Sequence, residues 1–252
     1  MSEIPAAITL VPLPGIPAVG PEDDLAALIG TAAERAGVTL EDGVLVVCQK
    51  VISKAEGRLV ALADVVPSEE AKRIAEEDGK DPRHVQVVLD ETVRIVRRGH
   101  GVVICETKHG FVCANAGVDL SNSTAEDVAV LLPLDPDASA SRLREDLLAR
   151  GSRNLAVIVT DTFGRPWREG LVDVAIGSSG IDPIRDARGS QDLAGRELLV
   201  TTTATADQLA AAAGILMLKD AGVPAVWVTV LEPSGEGRVA DSLRDTQNDL
   251  VR

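Results

Sequence analysis

Short apolar runs rich in β-branched residues recur along the chain at Ala7–Val11, Val44–Cys48, Val93–Val96, Val102–Cys105, Leu155–Thr160, Leu198–Thr203 and Ala225–Val230. Their length and composition predict buried strands. Between some of them the pattern changes to that of a helix. Asp23–Arg35 follows Pro21, carries acids in its first turn and stops at Gly37, while Ser68–Glu77 opens on a Ser-Glu-Glu capping signal. Ser141–Arg150 is amphipathic and ends at Gly151, and the nearly all-apolar Ala206–Lys219 predicts a buried helix. Val93–Val112 reads as strand, turn, strand. This irregular order predicts an α+β fold of mixed sheets with packed helices, rather than a regular doubly wound sheet. There is no internal repeat or low-complexity linker. Residues 1–233 read as one domain with a candidate hinge at Pro133–Ser139, and residues 234–252 read as a polar, loosely ordered tail.

Composition narrows the range of functions. Of 252 residues, 45% are hydrophobic, yet there are two Phe, two Trp and no Tyr, so aromatic platforms for stacking bases are scarce. Acids outnumber bases 39 to 25, giving a formal charge of −14, which opposes binding to a phosphate backbone. Both facts argue against a nucleic-acid partner. The N-terminal segment does not read as a signal peptide, and no run approaches the ~20 apolar residues of a membrane span. A cytoplasmic protein without a membrane partner is expected. Cys48, Cys105 and Cys113 form no CxxC pair and sit among apolar neighbours, so each reads as a small buried hydrophobe.

No GxxxxGK[ST], GxGxxG or HExxH motif is present, and His84, His100 and His109 lack metal-ligand spacing. Three polar clusters beside apolar runs remain. Asn115-Ala-Gly-Val-Asp119-Leu-Ser-Asn122 offers carboxylate and amide oxygens around a glycine. Thr160-Asp161-Thr162-Phe-Gly-Arg165-Pro-Trp167-Arg168 offers hard oxygen ligands for Mg²⁺ or Mn²⁺ and arginines for an anion. Gln49-Lys50-Val-Ile-Ser53-Lys54-Ala-Glu56-Gly57-Arg58 could cradle phosphate. Taken singly, each has an ordinary explanation as a turn, a helix cap or a solvated face. Together they favour metal-assisted phosphoryl transfer without defining the substrate.

These clusters, with Leu13-Pro-Gly-Ile-Pro before them and Leu198–Pro224 after, resemble the coenzyme F420:L-glutamate ligase family over about nine-tenths of the chain. The ANAGVDxSN and TDTxGRxWR strings are specific in combination. The resemblance implies a homodimer with an unusual, family-specific fold. It implies a GTP-dependent amide ligase that uses two divalent cations and K⁺. The terminal carboxylate of the coenzyme precursor is phosphorylated, and L-glutamate then displaces the phosphate. By motif, Asp119 and Asp161 would ligate one metal and Thr162 the second. Leu13, Pro14, Gly15, Ile16, Gln49, Lys50, Lys54 and Asn122 would contact GTP. Asp119, Asp161 and Lys54 form the expected catalytic set, and His109, Arg165 and Arg168 are candidates for the anionic substrate. Two departures stand out: Lys219 occupies a position where a second-metal ligand is expected, and the segment after Leu231 does not follow the family pattern. Two alternatives remain open on the sequence. One is a related nucleotide-dependent ligase with another carboxylate acceptor, and the other is a non-catalytic nucleotide-binding paralogue.

Overall fold

The computed structural model describes residues 7–120, 127–229, 234–245 and 247. Its central sheet has five strands in the order β1 (Thr9–Pro12), β12 (Ala225–Thr229), β2 (Glu41–Cys48), β8 (Arg153–Arg165) and β9 (Arg168–Ser179). Only β2 and β8 run parallel, with Val44 beside Ala156 and Cys48 beside Thr160; the other three pairings are antiparallel. The middle strands are apolar because both their faces are covered. Residues 44–47 and 155–159 are all buried.

Helices α1 (Leu25–Arg35), α5 (Pro136–Ala149) and α6 (Thr205–Gly214) contribute to the same core as this sheet. Asp24 caps α1 by accepting from the Ala27 N–H at 3.0 Å, and Asp135 caps α5 by accepting from the Ala138 N–H at 3.0 Å. Each cap satisfies a donor that the helix cannot pair internally.

A second apolar core is separate from the first. Here α3 (Glu69–Asp78) and α4 (Pro82–Asp90) share a core with β4 (Thr92–Gly99) and β5 (Val102–Thr107), and β6 (Val112–Ala114) pairs with β5. The expected strand–turn–strand is the β4–β5 hairpin. His100 and Gly101 have φ of 53° and 72°, the paired left-handed conformations that a tight hairpin turn uses. The two-stranded sheets β3 (Leu59–Ala61) with β7 (Val128–Val130), and β10 (Ile184–Asp186) with β11 (Thr202–Ala204), complete the fold. Thus the α+β class holds.

Several elements differ from the sequence expectation. The basic cluster after β2 is a helix, α2 (Gln49–Ala55). The strand expected at 198–203 is confined to β11, with Leu199 and Val200 exposed before it because no neighbouring strand covers them. The buried helix expected through Lys219 ends at Gly214, beyond which Ile215, Leu218 and Lys219 are exposed. The candidate hinge at 133–139 leads into the first turn of α5, where Asp137 and Ser139 are buried. In the tail, Asp137 accepts from the backbone N–H groups of Val239 at 2.9 Å and Ala240 at 3.2 Å, and from Ser178 of β9 at 2.8 Å. Val239 joins the main core. Among the described residues no helix is long and apolar enough to cross a membrane.

Candidate active site

A cavity of about 510 Å³ opens where the carboxyl ends of the parallel pair β2 and β8 meet the Asn115–Asp119 loop. In sheets of this kind the ends of parallel strands are where backbone direction and loop divergence leave a crevice. Lys50 and Lys54 enter from α2, Asp119 from the loop and Asp161 with Thr162 from β8. The rim continues through Ile16 and through Met217–Lys219 beyond α6. Three sequence clusters spread over more than a hundred residues therefore converge on one space.

Local backbone geometry aims these groups. Asn115, Ala116 and Gly117 follow one another with φ of 51°, 52° and 72°. Such a left-handed run is costly for the two residues with side chains, and it turns the chain sharply before Asp119. A methyl group at Gly117 would lie 2.7 Å from two carbons of the Leu132 side chain, so the close approach requires glycine. Lys80, reaching from the α3–α4 connection, donates to Asn115 Oδ1 at 3.2 Å. Asp119 is then fixed by two backbone hydrogen bonds to Val130 of β7, at 3.0 and 2.8 Å. On the other wall, β8 and β9 shift register between Val159 and Thr160, a bulge placed just before Asp161.

Electrostatics distinguish the two aspartates. Lys50 Nζ lies 2.6 Å from Asp119 Oδ2. Asp161 has burial as its main perturbation, opposed by the Thr162 N–H and reinforced by the nearby charge of Asp119, and its carboxyl is pushed up to about 7. The Lys54 ammonium is shifted down, first by burial and then by repulsion from Lys50. Burial pushes the Cys48 thiol up to about 11, so it stays protonated and offers no thiolate to the cavity.

Of the remaining sequence candidates, Ile16 lines the cavity, Leu13 is fully buried, and Pro14 and Gly15 are exposed beside it. Gln49 is fully buried, where its Oε1 accepts from Ser53 Oγ at 2.7 Å, and it does not line the cavity. His109 lies outside the cavity lining, with Nε2 at 2.8 Å from the Pro133 carbonyl and its ring stacked on Phe111. Arg165 folds back onto the Glu169 and Gly170 carbonyls at the exposed β8–β9 tip, and Arg168 lies on the same tip. Asn122 falls outside the described residues. Sequence reasoning missed Asp173 of β9, which lines the cavity and accepts a hydrogen bond from Thr162. Its signal was a lone acid inside the apolar run Leu171–Ile176.

The donor set suits a hard cation: the carboxylates of Asp119, Asp161 and Asp173 and the Thr162 hydroxyl offer oxygen, while the Cys48 sulfur is held as a neutral thiol. Among the described residues no three His, Cys, Asp or Glu side chains converge to hold a metal by themselves. Such an ion would therefore draw its other ligands from Thr162, substrate phosphate or water.

Comparison with known proteins places this geometry in context. The profile of the family described as F420-0:Gamma-glutamyl ligase matches residues 15–229. The chain belongs to that family. It is 46% identical to the coenzyme F420:L-glutamate ligase of Methanothermobacter thermautotrophicus over 97% of this chain and 99% of the relative. It is 45% identical to the protein of that name from Methanopyrus kandleri, over 97% and 98% of the two chains, and 43% identical to the one from Archaeoglobus fulgidus, over 97% and 96%. The family profile stops at residue 229, just before the segment after Leu231.

Proposed function

We propose that this family member joins L-glutamate to the terminal carboxylate of a coenzyme F420 precursor, using GTP and an acyl-phosphate intermediate. The observation that carries the reading is the convergence of Lys50, Lys54, Asp119, Asp161 and Thr162 on one cavity. The relatives, named as ligases of coenzyme F420 and L-glutamate, support the substrates.

A carboxylate is a poor electrophile because expelling oxide is prohibitive. Transfer of the γ-phosphoryl group of GTP to a carboxylate oxygen releases GDP and creates a leaving group. The glutamate amine then attacks the acyl carbon, phosphate departs with the C–O bond electrons, and the amine loses its proton to form the amide. Moving phosphate onto an anion concentrates negative charge, which Lys50 and Lys54 offset from α2. Asp119, Asp161 and Thr162 would hold Mg²⁺ or Mn²⁺, which supplies charge neutralisation when bound. K⁺ would serve as an additional counter-ion. Lys219, exposed at the rim, adds a cation rather than an oxygen ligand there. An acyl phosphate must be shielded from water to escape hydrolysis, which substrates filling the cavity would provide.

The proposed homodimer has support in apolar side chains that a solvated surface would not select. Trp167 at the β8–β9 tip is 85% exposed, and Leu193, Leu199 and Val200 project before β11.

The test incubates the protein with GTP, Mn²⁺, L-glutamate and the unglutamylated coenzyme and weighs the products by mass spectrometry. A mass gain of one or more glutamates is expected. GTP hydrolysis without any gain would sink the proposed acceptor. Asp119→Ala should abolish turnover in a protein that still folds.

A further inference from the structure

Thr162 and Asp173 are direct cross-strand partners in the antiparallel β8–β9 pair. The Thr162 hydroxyl donates to Asp173 Oδ1 at 2.6 Å, a short bond of the kind a carboxylate acceptor makes. A hydroxyl has one proton and two lone pairs. With the proton committed to Asp173, Oγ1 has only lone pairs left for other neighbours. Both residues line the cavity beside Asp161.

The carboxylate is held from behind by α6. A methyl group built on Gly214 would lie 2.5 Å from Asp173 Oδ2 and 2.9 Å from its Cγ, so the last turn of α6 leaves space for the carboxylate only because that residue is glycine. Gly214 has no left-handed φ, and within a helix alanine would otherwise be favoured by about 1 kcal/mol. Two residues along β9 from Asp173, the Ala175 N–H donates to Asp207 Oδ1 of α6 at 2.9 Å, which fixes the helix against the strand at this point. Strand pairing in front and helix packing behind thus confine the Asp173 carboxylate to a place where it faces the Thr162 hydroxyl.

We propose that Asp173 is a positioning residue: by accepting the hydrogen bond of the Thr162 hydroxyl it orients Oγ1 so that only lone pairs face a hard cation in the cavity. This rests on the metal-assisted reading above and deepens it. In Asp173→Asn the amide can donate to Oγ1, which would occupy a lone pair and release the hydroxyl proton toward the cavity. Gly214→Ala reaches the same end differently, by pushing the carboxylate away without changing either polar residue.

The experiment titrates Mn²⁺ into the full chain with GTP and no glutamate or coenzyme, counting free Mn²⁺ by electron paramagnetic resonance. Melting of each metal-free variant is followed in parallel. Outer-sphere partners of metal ligands typically alter affinity 10–100-fold, so Thr162→Val, Asp173→Asn and Gly214→Ala should each weaken one class of Mn²⁺ by at least about tenfold. The Thr162→Val/Asp173→Asn double variant should bind no more weakly than Thr162→Val alone, because both changes remove one function. Gly214→Ala should add nothing once Asp173 is alanine. Wild-type Mn²⁺ affinity in folded Asp173→Asn and Gly214→Ala, or losses that add in the double variant, would overturn the positioning role while leaving the ligase reading intact. A wild-type chain that binds no Mn²⁺ with GTP present would overturn both.

Discussion

Lys50 Nζ and Asp119 Oδ2 meet at 2.6 Å, joining a helix of the main core to a loop of the second core across the mouth of the cavity. The contact holds the two cores in register and keeps Asp119 compensated while it faces Asp161. Lys50→Ala should lower the stability of the metal-free protein by roughly 1–3 kcal/mol, the range between exposed and buried ion pairs. It should also make Mg²⁺ a better stabiliser, since Asp119 and Asp161 lose a competing cation. Thermal melts with and without Mg²⁺ would show a larger upward shift for the variant than for the wild type. Equal shifts would mean that Lys50 and the cation do not share Asp119.

Asp161 should cost the metal-free fold stability at neutral pH. Its folded-state value of about 7 lies above the ordinary 3.8 of an unfolded aspartate. An acid with a raised folded value is bound more tightly to its proton when folded. Stability is therefore fullest below 3.8, declines as pH rises toward 7, and stays low above it. Asp161→Asn removes this penalty, worth roughly 1–3 kcal/mol after allowing for partial solvent screening. In chelator, the variant should melt several degrees above wild type at pH 8 and level with it near pH 4. A gain independent of pH would assign the effect to packing. The same substitution should remove turnover, so stability and function oppose each other at this residue.

The strands of the core were legible because burial on both faces leaves an uninterrupted apolar run, as at Val44–Val47 and Leu155–Val159. Helix α2 was not, because seven residues are too few for a period to stand out and its two lysines resemble a solvated loop. The outer half of the β8–β9 ribbon was hidden for a related reason. Beyond Thr160 burial falls away toward the exposed tip, with Phe163 and Val174 only partly buried against the core, so no uninterrupted apolar run marks it. The residue types of the site could be read from sequence, but their convergence could not: Lys50, Asp119 and Asp161 meet only through parallel pairing of β2 with β8 and the left-handed turn at Asn115–Gly117. The family strings supplied the substrate, which no contact in the chain names.

Asp137 is the residue through which the tail is held. Buried at the start of α5, it accepts from Ser178 and Val239 at Oδ1 and from Ala240 at Oδ2, which Arg238 Nε also approaches at 3.6 Å. Asp137→Ala would strand the buried backbone donors of Ser178 and Val239 and release that of the exposed Ala240. It should cost about 2–5 kcal/mol, the range for breaking a buried charged network. Hydrogen exchange should show faster exchange at Val239 and Ala240 than at β2. Wild-type protection of the tail in this variant would show that Val239 packing alone secures it.

The β8–β9 tip gives the proposed dimer a direct test. Trp167 and Leu171 are 85% and 62% exposed on a ribbon that extends beyond the core. In a two-fold pair the same patch faces itself, so one substitution is felt twice. Trp167→Glu with Leu171→Glu would place four carboxylates in such an interface, and like charges there cost several kcal/mol. Sedimentation velocity should then report the mass of one chain where the wild type reports two. The cavity-lining residues of β8 lie only a few positions from the tip, so GTP affinity should be measured on the same sample. If the variant stays dimeric, the association uses another face and the exposed tip is left to the substrate.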